Sequence, residues 1–374
     1  MRRAATVGTH GADYVFIGYA AAIILFGLLI LSSAGVAVGL DRFSDAYFFI
    51  KRQLLLGFFP GIVLFLIMSK INYTIWRKYA LPIFILSILL LILVFIPGIG
   101  SDNNTFAKSW IVLSNYSFQP IEAAKLGLVI YLAAVLSSVG NAIKTAHGFV
   151  SILGVAAIPL VLVALQPDTG GMFILGSLII LMLFFAKARL THLLVIFLLG
   201  IVAFGIMIFA APYRADRFMT FLHPELDPEG QGYQINQAFL AIGTGGWFGL
   251  GLGHSRQKFQ YLPEVHADSI FAVAAEELGF IIISIFIAGY SLLFFRGFSI
   301  AEGSGDEFGR LLVLGIMTWL GIQTLMNIGA MLGMLPLTGV PLPFVSHGGT
   351  ALMISMAALG IVVSVSKHAQ AKRI

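Results

Sequence analysis

The chain has 374 residues, of which 59% are hydrophobic and 10% are charged, and its mean hydropathy is +0.97. Soluble domains carry roughly 25% charged residues, so this composition excludes a soluble globular protein and a disordered chain. No cysteine occurs, which excludes thiol catalysis, a disulfide scaffold and a zinc site built on cysteine. The net charge of +5 is explained by basic loops at a membrane surface and does not indicate a nucleic-acid partner.

Apolar stretches that continue over about 20 residues predict membrane-spanning helices and not barrel strands, in which apolar and polar residues alternate. Ten such stretches occur, each close to the length that crosses ~30 Å of hydrocarbon. They cover residues 14–34, 54–69, 81–99, 121–139, 149–165, 171–186, 193–211, 268–295, 311–330 and 350–366. The sequence therefore predicts an all-α polytopic membrane protein with about ten transmembrane helices, forming a single integral membrane domain over residues 1–374.

The distribution of basic residues predicts the orientation of the chain. The first span follows Arg2 and Arg3 and is long enough to be a retained signal anchor. With the N-terminus in the cytoplasm, the 22 Lys and Arg residues divide into thirteen inside, eight outside and Lys125 within a span. Both termini are therefore predicted to be cytoplasmic, and residues 212–267 to form one long extracytoplasmic loop between the seventh and eighth spans. Within this loop, the apolar residues 237–242 predict a half-buried or re-entrant helix.

Polar residues collect where the fourth, sixth, eighth and tenth spans begin, all at the predicted outer face. Helix N-termini carry partial positive charge and free N–H groups, so four of them together predict a site for an anionic ligand. The polar residues at these positions are Gln119, Glu122, Lys125, Asp168, His266, Asp268, Ser346 and His347, and Gly348 follows the last of them. Helix capping is the alternative explanation for Asp168 and Ser346, which are common N-cap residue types.

The charged residues at these positions suggest individual roles. Glu122 and Lys125 lie three residues apart on one helix face and can form a neutral structural ion pair; alternatively, Lys125 also binds a ligand phosphate. Asp268 precedes a surface of small residues and is placed to act as a general base. Glu276 and Glu277, further into the eighth span, are expected to have structural partners.

Four cations lie in the long outer loop, on the less basic side of the membrane. They are Arg214, Arg217, Arg256 and Lys258. Arginine and lysine bind diphosphates well, which predicts that these side chains contact an anionic substrate. Anionic lipid headgroups are the alternative ligand. The spacing of His254 and His266 from other ligand types does not favour a metal site.

Several motifs follow one another along nearly the whole chain. They are Gln119-Pro120-x-Glu122-x-x-Lys125, Gln166-Pro167-Asp168-x-Gly170, Gly232-Tyr233-Gln234, Gly249-Leu250-Gly251-Leu252-Gly253-His254-Ser255-Arg256-Gln257-Lys258, Tyr261-Leu262-Pro263-Glu264-Val265-His266-Ala267-Asp268, Glu276-Glu277-Leu278-Gly279 and Leu335-Pro336-x-x-Gly339-Val340-Pro341-Leu342-Pro343-Phe344-Val345-Ser346-x-Gly348-Gly349. Together they resemble the SEDS family (shape, elongation, division and sporulation). The Tyr-Leu-Pro-Glu element is more similar to the division members of the family than to the elongation members.

The resemblance implies a ten-helix, multi-pass peptidoglycan glycosyltransferase of the bacterial cytoplasmic (inner) membrane. Such an enzyme polymerises lipid II into glycan strands at the outer face during cell division, together with a class B penicillin-binding protein and other divisome proteins. The implied reaction inverts the donor sugar and releases polyprenyl diphosphate. No organic cofactor is implied, whereas a divalent cation at the diphosphate is compatible with the chemistry.

The resemblance also assigns residues. The essential acid of the family corresponds to Asp268, which is expected to deprotonate the acceptor sugar. The ion pair of the fourth helix corresponds to Glu122 and Lys125. The loop cations correspond to Arg217 and Lys258. The remaining candidates for substrate contacts are Gln119, Arg256, His266, Ser346, His347 and Gly348.

The chain departs from the family pattern at four places. It has Ala267-Asp268-Ser269 where the family has Thr-Asp-Phe, and His347 where the family has tyrosine. Ser109 stands in the place of an arginine before the fourth span, with Lys108 next to it as a substitute, and Ala274-Ala275 replaces Ile-Gly. Two other functions stay open, a flippase for lipid II and a non-catalytic scaffold for cell division. The sequence shows neither an inverted repeat nor a matching pair of broken helices, which argues against a transporter.

Overall fold

A computed structural model describes the chain over residues 11–101, 109–113, 116–210, 219–227, 230–259 and 261–368. Its helices are α1 Tyr14–Ala34, α2 Val36–Phe43, α3 Phe48–Gln53, α4 Phe59–Lys70, α5 Thr74–Lys78, α6 Ala80–Leu93, α7 Pro120–Val139, α8 Ala146–Leu165, α9 Thr169–Phe185, α10 Leu190–Ala210, α11 Gln231–Gly245, α12 Ile270–Gly303, α13 Glu307–Met331 and α14 Gly349–Ser366. Short strands β1 Gly100–Ser101, β2 Trp110–Leu113 and β3 Tyr116–Phe118 form a small antiparallel sheet in that order.

Seven helices of the described chain are long and apolar enough to cross a membrane. They are α1, the continuous helix Phe48–Lys70, α7 with its short 3-10 extension, α8, α12, α13 and α14. Three more apolar helices, α6, α9 and α10, lie at the remaining predicted spans. The polytopic helical architecture is thereby confirmed, while the number of spans, the orientation and the single domain stay predictions. Helix α11 is present where residues 237–242 predict one.

The second span differs from its prediction at its start. It begins at Phe48 and contains a π-helical turn at Leu54–Phe58 between α3 and α4. In this turn, Gly57 packs directly on the start of α14, since a Cβ at Gly57 would lie 3.2 Å from the Cα of Gly349. Hydropathy does not reveal such a turn, because a π-turn changes the hydrogen-bond pattern and not the composition.

The small sheet precedes α7 and was not expected from hydropathy. Strand β2 pairs with β3 so that Ile111 lies opposite Phe118, and Ile111 is buried. Aromatic and β-branched residues such as Trp110, Ile111 and Val112 favour strands over a short segment. The sheet therefore places an ordered β-hairpin directly before the helix that carries Glu122 and Lys125.

Helices α13 and α14 are the most enclosed candidate spans of the bundle. Helix α13 packs against α7, α9 and α12, and α14 packs against α4. Buried side chains on α13 include Trp319, Gln323 and Asn327, whereas α6, α8 and α10 expose many leucine, isoleucine and valine side chains. The peripheral helices therefore present an apolar surface that suits lipid, and the polar side chains Gln323 and Asn327 of α13 lie inside the bundle.

One end of the bundle is held by polar contacts between helix ends. Arg296 Nε, near the end of α12, lies 2.8 Å from Asp13 Oδ2, which precedes α1. Arg310 Nη2, at the start of α13, donates to Phe185 O at the end of α9 at 2.8 Å. This end carries basic residues of the predicted cytoplasmic set. Because α9 and α12 end here, their N-termini lie at the opposite end.

Helix α12 is broken at Gly279, whose φ of 74° and ψ of 177° are not helical. The glycine-rich segment, residues 246–258, lies along the break and pairs with the backbone groups that the break leaves free. The hydrogen bonds are Leu250 N to Glu276 O (3.0 Å), Gly251 N to Glu277 O (2.9 Å), Phe280 N to Gly246 O (2.8 Å) and Ile281 N to Trp247 O (3.2 Å). Buried backbone groups need such partners, so the break and the segment depend on each other. The predicted span 268–295 is present as α12, whereas the break at Gly279 within it was not predicted.

Replacing Gly279 by alanine is expected to lower the free energy of unfolding by about 2 kcal/mol or more. Its φ is positive, and a Cβ there would lie 2.2 Å from the backbone N of Gly249. Thermal unfolding of the detergent-purified protein measures the effect. The matched control is Gly289→Ala on the same helix, where nothing lies within 4 Å of the added Cβ. Equal unfolding temperatures for the two variants would contradict the prediction.

Candidate functional site

The loop between α13 and α14, residues 332–348, connects the helix N-termini that the sequence singles out. Through it, the starts of α9, α12 and α14 come together, and a side chain of α13 links it to Lys125 on α7. The contacts are those of Gly170 with Val340, Gln323 Nε2 with Pro341 O (3.0 Å), and Ser346 Oγ with Ala267 O (2.6 Å). The polar residues at these four predicted positions therefore gather around one loop.

Asp268 lies two residues before α12, between α11 and α13. Gln234 of α11 donates through Nε2 to Ser269 Oγ at 2.9 Å and lies 3.5 Å from Asp268 Oδ1. Asn327 of α13 donates through Nδ2 to Asp268 O at 2.8 Å and to Val340 O at 2.9 Å. Asp268 and Asn327 line a shallow recess together with residues 337–340 of the loop after α13. The hydrogen bond from Asn327 thus fixes the backbone of the acid at the edge of this recess.

The surroundings of Asp268 change its acidity. Burial raises the pKa of Asp268 to about 6, the negative charge of Glu264 adds to the increase, and the hydrogen bond from Gln234 opposes it. A carboxylate with a raised pKa is a stronger base than an exposed aspartate and is still ionised at about pH 7. Asp268 therefore has the properties that a general base needs.

The ion pair that the spacing predicts on α7 is present and deeply buried. Lys125 Nζ lies 2.8 Å from Glu122 Oε1 and also donates to Gln323 Oε1 at 2.8 Å. The ammonium group lies 5.1 Å from the centre of the Trp319 ring. Lys125 is only 2% exposed, and Glu122 Oε2 has no hydrogen-bond partner among the described residues. An ammonium has three N–H donors, so one remains beyond the two hydrogen bonds described here.

Ser346 and Gly348 hold the loop in place. Capping of α9 by Asp168 is confirmed, because its side chain accepts from a backbone N–H of the first turn. The corresponding interpretation of Ser346 is wrong, since Gly348 is the N-cap residue of α14 and Ser346 bonds to Ala267 O. Gln53 accepts from Gly348 N at 2.9 Å and donates to Ser346 O at 3.2 Å. The start of α14 is therefore tied both to the second span and to the chain before Asp268.

His266 and His347 form an aromatic group beside the acid. The two ring centres are 5.9 Å apart. The centre of the Phe49 ring lies 3.9 Å from that of His266 and 5.2 Å from that of His347. Burial lowers the pKa of His266 to about 4, and the charge of Arg42 adds to this. Burial, His266 and Arg52 together lower the pKa of His347 to about 3. Both imidazoles are therefore neutral at about pH 7 and do not supply positive charge.

The predicted substrate cations of the outer loop differ in exposure. Lys258 is only 2% exposed, and its Nζ lies 2.8 Å from Glu277 Oε1, so the predicted structural partner of Glu277 is found. Arg256 is exposed. Gln119 is half-buried at the N-cap of α7, where its side chain makes no capping hydrogen bond. Three predicted cations, Lys108, Arg214 and Arg217, lie outside the described residues.

Three polar side chains of the site were given no role there from the sequence. They are Gln234, Gln323 and Asn327. Gln323 and Asn327 lie four residues apart in an otherwise apolar span, and that spacing is the signal that could have identified them. Both are buried, and Asn327 Oδ1 has no hydrogen-bond partner among the described residues. Gln234 lies in the Gly232-Tyr233-Gln234 stretch, where no spacing rule links it to Asp268.

A divalent cation would need oxygen ligands near the predicted diphosphate. Within the described ranges, no group of three or more His, Asp or Glu side chains is arranged to hold a metal ion. The side chains around Asp268 therefore do not supply a complete ligand set, since Mg²⁺ and similar ions take about six oxygen ligands. The cation stays a prediction, and no catalytic step below depends on it.

Comparison with known proteins identifies the family. Residues 13–371 match the model of the FtsW, RodA and SpoVE family, described as Cell cycle protein. The chain belongs to this family. Stage V sporulation protein E of Bacillus subtilis is 39% identical over 349 residues, which are 93% of this chain and 95% of that protein. Probable peptidoglycan glycosyltransferase FtsW of Geobacter metallireducens is 38% identical over 355 residues, which are 95% of this chain and 94% of that protein.

Solved structures of SEDS proteins have the same fold. A chain from a peptidoglycan synthase complex that coordinates polymerization and crosslinking has a TM-score of 0.78 at 29% identity, covering 95% of this chain and 97% of that chain. The rod shape determining protein RodA of Thermus thermophilus has a TM-score of 0.69 at 28% identity, covering 95% of this chain and 96% of that chain. The resemblance to the SEDS family is confirmed, and the chain is a polytopic protein of the bacterial inner membrane.

Proposed function

We propose that this SEDS protein is a peptidoglycan glycosyltransferase that polymerises lipid II into glycan strands. The relatives named FtsW support the reaction class, because those proteins are described as probable peptidoglycan glycosyltransferases. The observation that carries the proposal in this chain is Asp268, an acid with a raised pKa that lines a recess between the start of α12, the end of α13 and the loop that follows α13. A base at this position can act on a substrate whose lipid tail stays in the membrane.

In the proposed reaction, Asp268 removes the proton from the 4-hydroxyl of the acceptor GlcNAc. The resulting oxygen nucleophile attacks the anomeric carbon of the donor MurNAc, the bond to the diphosphate oxygen breaks, and the anomeric configuration inverts. Polyprenyl diphosphate leaves with the electron pair of that bond. The proton stays on Asp268 until solvent takes it. The backbone hydrogen bond from Asn327 to Asp268 O keeps the base in position during these steps.

Negative charge on the leaving diphosphate needs nearby donors. In the proposal, the third N–H of Lys125 contacts the diphosphate, and Arg217 and Arg256 approach it from the outer loop. The partial positive charges of the helix N-termini around residues 332–348 act in the same direction. Lys125 is enclosed in the structure, so substrate contact requires a small opening between α7 and the loop.

The proposed partner is a class B penicillin-binding protein, which crosslinks the strands that this chain polymerises. It is supported by the structural similarity to a chain of a peptidoglycan synthase complex that coordinates polymerization and crosslinking. Relatives named FtsW and Stage V sporulation protein E favour a role in cell division or sporulation over elongation. Other divisome proteins and membrane lipids complete the proposed set of partners.

A flippase for lipid II is the second candidate function, and the break in α12 favours it, because discontinuous helices are common in transporters.

One experiment distinguishes the two functions. Detergent-purified protein is incubated with fluorescent lipid II, and the products are separated on a gel. A polymerase is expected to convert the substrate into a ladder of longer glycans without any partner protein that has glycosyltransferase activity. Unchanged lipid II together with its transfer across the bilayer of proteoliposomes would overturn the proposal in favour of transport. Unchanged lipid II without transfer would leave a scaffold as the function.

A further inference from the structure

Two acidic side chains next to the break in α12 hold the glycine-rich segment, residues 246–258. Glu276 accepts hydrogen bonds from Ser255 Oγ, from Arg256 N at 3.0 Å and from Gln257 N at 3.3 Å. One carboxylate thus satisfies three donors of a single turn, which fixes the backbone of the segment on either side of Arg256. The contact lies about 9 Å along α12 from its first residue, at 1.5 Å per residue.

Lys258 completes the attachment of the segment. Its Nζ donates to Glu277 Oε1 at 2.8 Å, to Gly253 O at 2.7 Å and to Ser33 Oγ of α1 at 3.0 Å. The Ser33 hydroxyl in turn donates to Glu277 Oε1 at 2.7 Å. A lysine ammonium has three N–H donors, and these three acceptors use all of them. Lys258 therefore has no donor left for a phosphate, in contrast to Lys125, which donates two hydrogen bonds.

We propose that Lys258 and Glu277 are a positioning pair which, with Glu276, holds the glycine-rich segment across the broken helix, and that Arg256 is the cation that this segment offers to the substrate diphosphate. Arg256 is exposed, while its backbone N–H is held by Glu276. The role of Arg256 rests on the proposed glycosyltransferase function. The attachment of the segment does not, because it follows from contacts within the chain.

The attachment is tested by the reactivity of a single engineered thiol, which is specific because the native chain has no cysteine. Ser255 is buried, so Ser255→Cys is expected to react slowly with a maleimide in the folded protein. Adding Lys258→Met leaves the Glu277 carboxylate without its cation, and labelling is expected to accelerate ~10-fold as the segment opens. Adding Glu277→Met as well removes the unpaired charge and is expected to slow labelling again. Equal labelling rates in all three proteins would overturn the positioning role.

The assignment of the diphosphate cation is tested by polymerisation kinetics in the native serine background. Arg256→Ala is expected to raise KM for lipid II by ~10-fold with a smaller change in kcat and no change in unfolding temperature. Lys258→Met is expected to lower both the unfolding temperature and the amount of active enzyme. The double variant Lys258→Met/Glu277→Met is expected to recover most of both losses, because an ion pair replaced by apolar side chains leaves no buried charge unpaired.

Two outcomes would overturn this assignment. If the double variant regains its unfolding temperature but polymerises no better than Lys258→Met, Lys258 contacts the substrate itself. If Arg256→Ala leaves KM unchanged, Arg256 is not the diphosphate cation. If the wild-type protein makes no glycan at all, the proposed function fails, and the maleimide experiment still decides whether the pair holds the segment. If Lys258→Met does not yield folded protein, the double variant is still informative. Recovery of folded protein in Lys258→Met/Glu277→Met then measures the interaction between Lys258 and Glu277.

Discussion

The variant Asp268→Asn is expected to form glycan strands ~10²–10⁴-fold more slowly than the wild type, which is the usual contribution of a general base. Asparagine keeps the shape of the side chain and the backbone hydrogen bond from Asn327, so the loss reports the missing basic oxygen. The measurement is the initial rate of fluorescent lipid II consumption by purified protein. The matched control, Asp45→Asn, changes a partly exposed aspartate that pairs with the exposed Lys51 and is expected to retain the wild-type rate.

The pH dependence of the wild-type rate gives a second test of the same residue. Because burial raises the pKa of Asp268 to about 6, the base is protonated below that pH and ionised above it. The rate is therefore expected to rise with pH through about 6 and then level off, and Asp268→Asn is expected to lack this step. A rate that falls as the pH rises through this range would contradict the assignment of Asp268 as the base.

The same pKa shift predicts the sign of a stability change. The pKa of Asp268 is higher in the folded chain than its ordinary value of 3.8, so folding disfavours the charged form. The resulting decrease in the free energy of unfolding is absent below the ordinary pKa and grows as the pH rises towards about 6. Asp268→Asn, which is always neutral, is therefore expected to unfold at the same or a higher temperature than the wild type at about pH 7. Loss of activity accompanied by loss of stability would point to misfolding.

Removing the ammonium of Lys125 is expected to have the second large effect. Lys125→Met leaves the buried Glu122 carboxylate without its cation, while Gln323 Oε1 keeps only the hydrogen bond from Trp319 Nε1. Breaking a buried ion pair on one side typically costs about 3–5 kcal/mol, and thermal unfolding measures the loss. The control is the exposed Lys51→Met, whose partner Asp45 is 33% exposed and keeps contact with water; it is expected to cost less than about 1 kcal/mol.

The double variant Lys125→Met/Glu122→Gln separates structure from function at this pair. It has no uncompensated buried charge, so its unfolding temperature is expected to recover most of the loss. Polymerisation is expected to stay low, because the third N–H of Lys125 contacts the substrate diphosphate in the proposed reaction. Full recovery of polymerisation together with stability would show that the pair is purely structural.

Sequence patterns predicted the parts of the molecule that depend on local spacing. The Glu122–Lys125 pair follows from two charges three residues apart on an apolar helix, and the polytopic fold follows from continuous apolar runs. The break at Gly279 was not predicted, because its backbone groups are satisfied by residues 246–258, which lie far from it along the chain. Hydropathy predicts one continuous helix here, because the break changes the backbone conformation and not the apolar composition.

The environment of each candidate side chain was harder to predict than its presence. Ser346 has the residue type of an N-cap, but its hydroxyl bonds to Ala267 O, 79 residues away. Lys258 was expected at the substrate, yet its ammonium bonds to Ser33 on α1 and to Glu277 on α12. Both contacts join distant segments, and a single sequence contains no signal for them.

Helix α13 has a mechanical consequence for the cycle of substrate entry and product release. Gln323 binds Lys125 and Asn327 binds the backbone of Asp268, and the two amides are one turn apart, a rise of about 6 Å along a straight helix. The proposed base and the proposed diphosphate cation are thus both hydrogen-bonded to the same helix. We therefore expect any widening that admits the substrate to come from the elements that flank α13, because a bend within this turn of α13 would strain both hydrogen bonds.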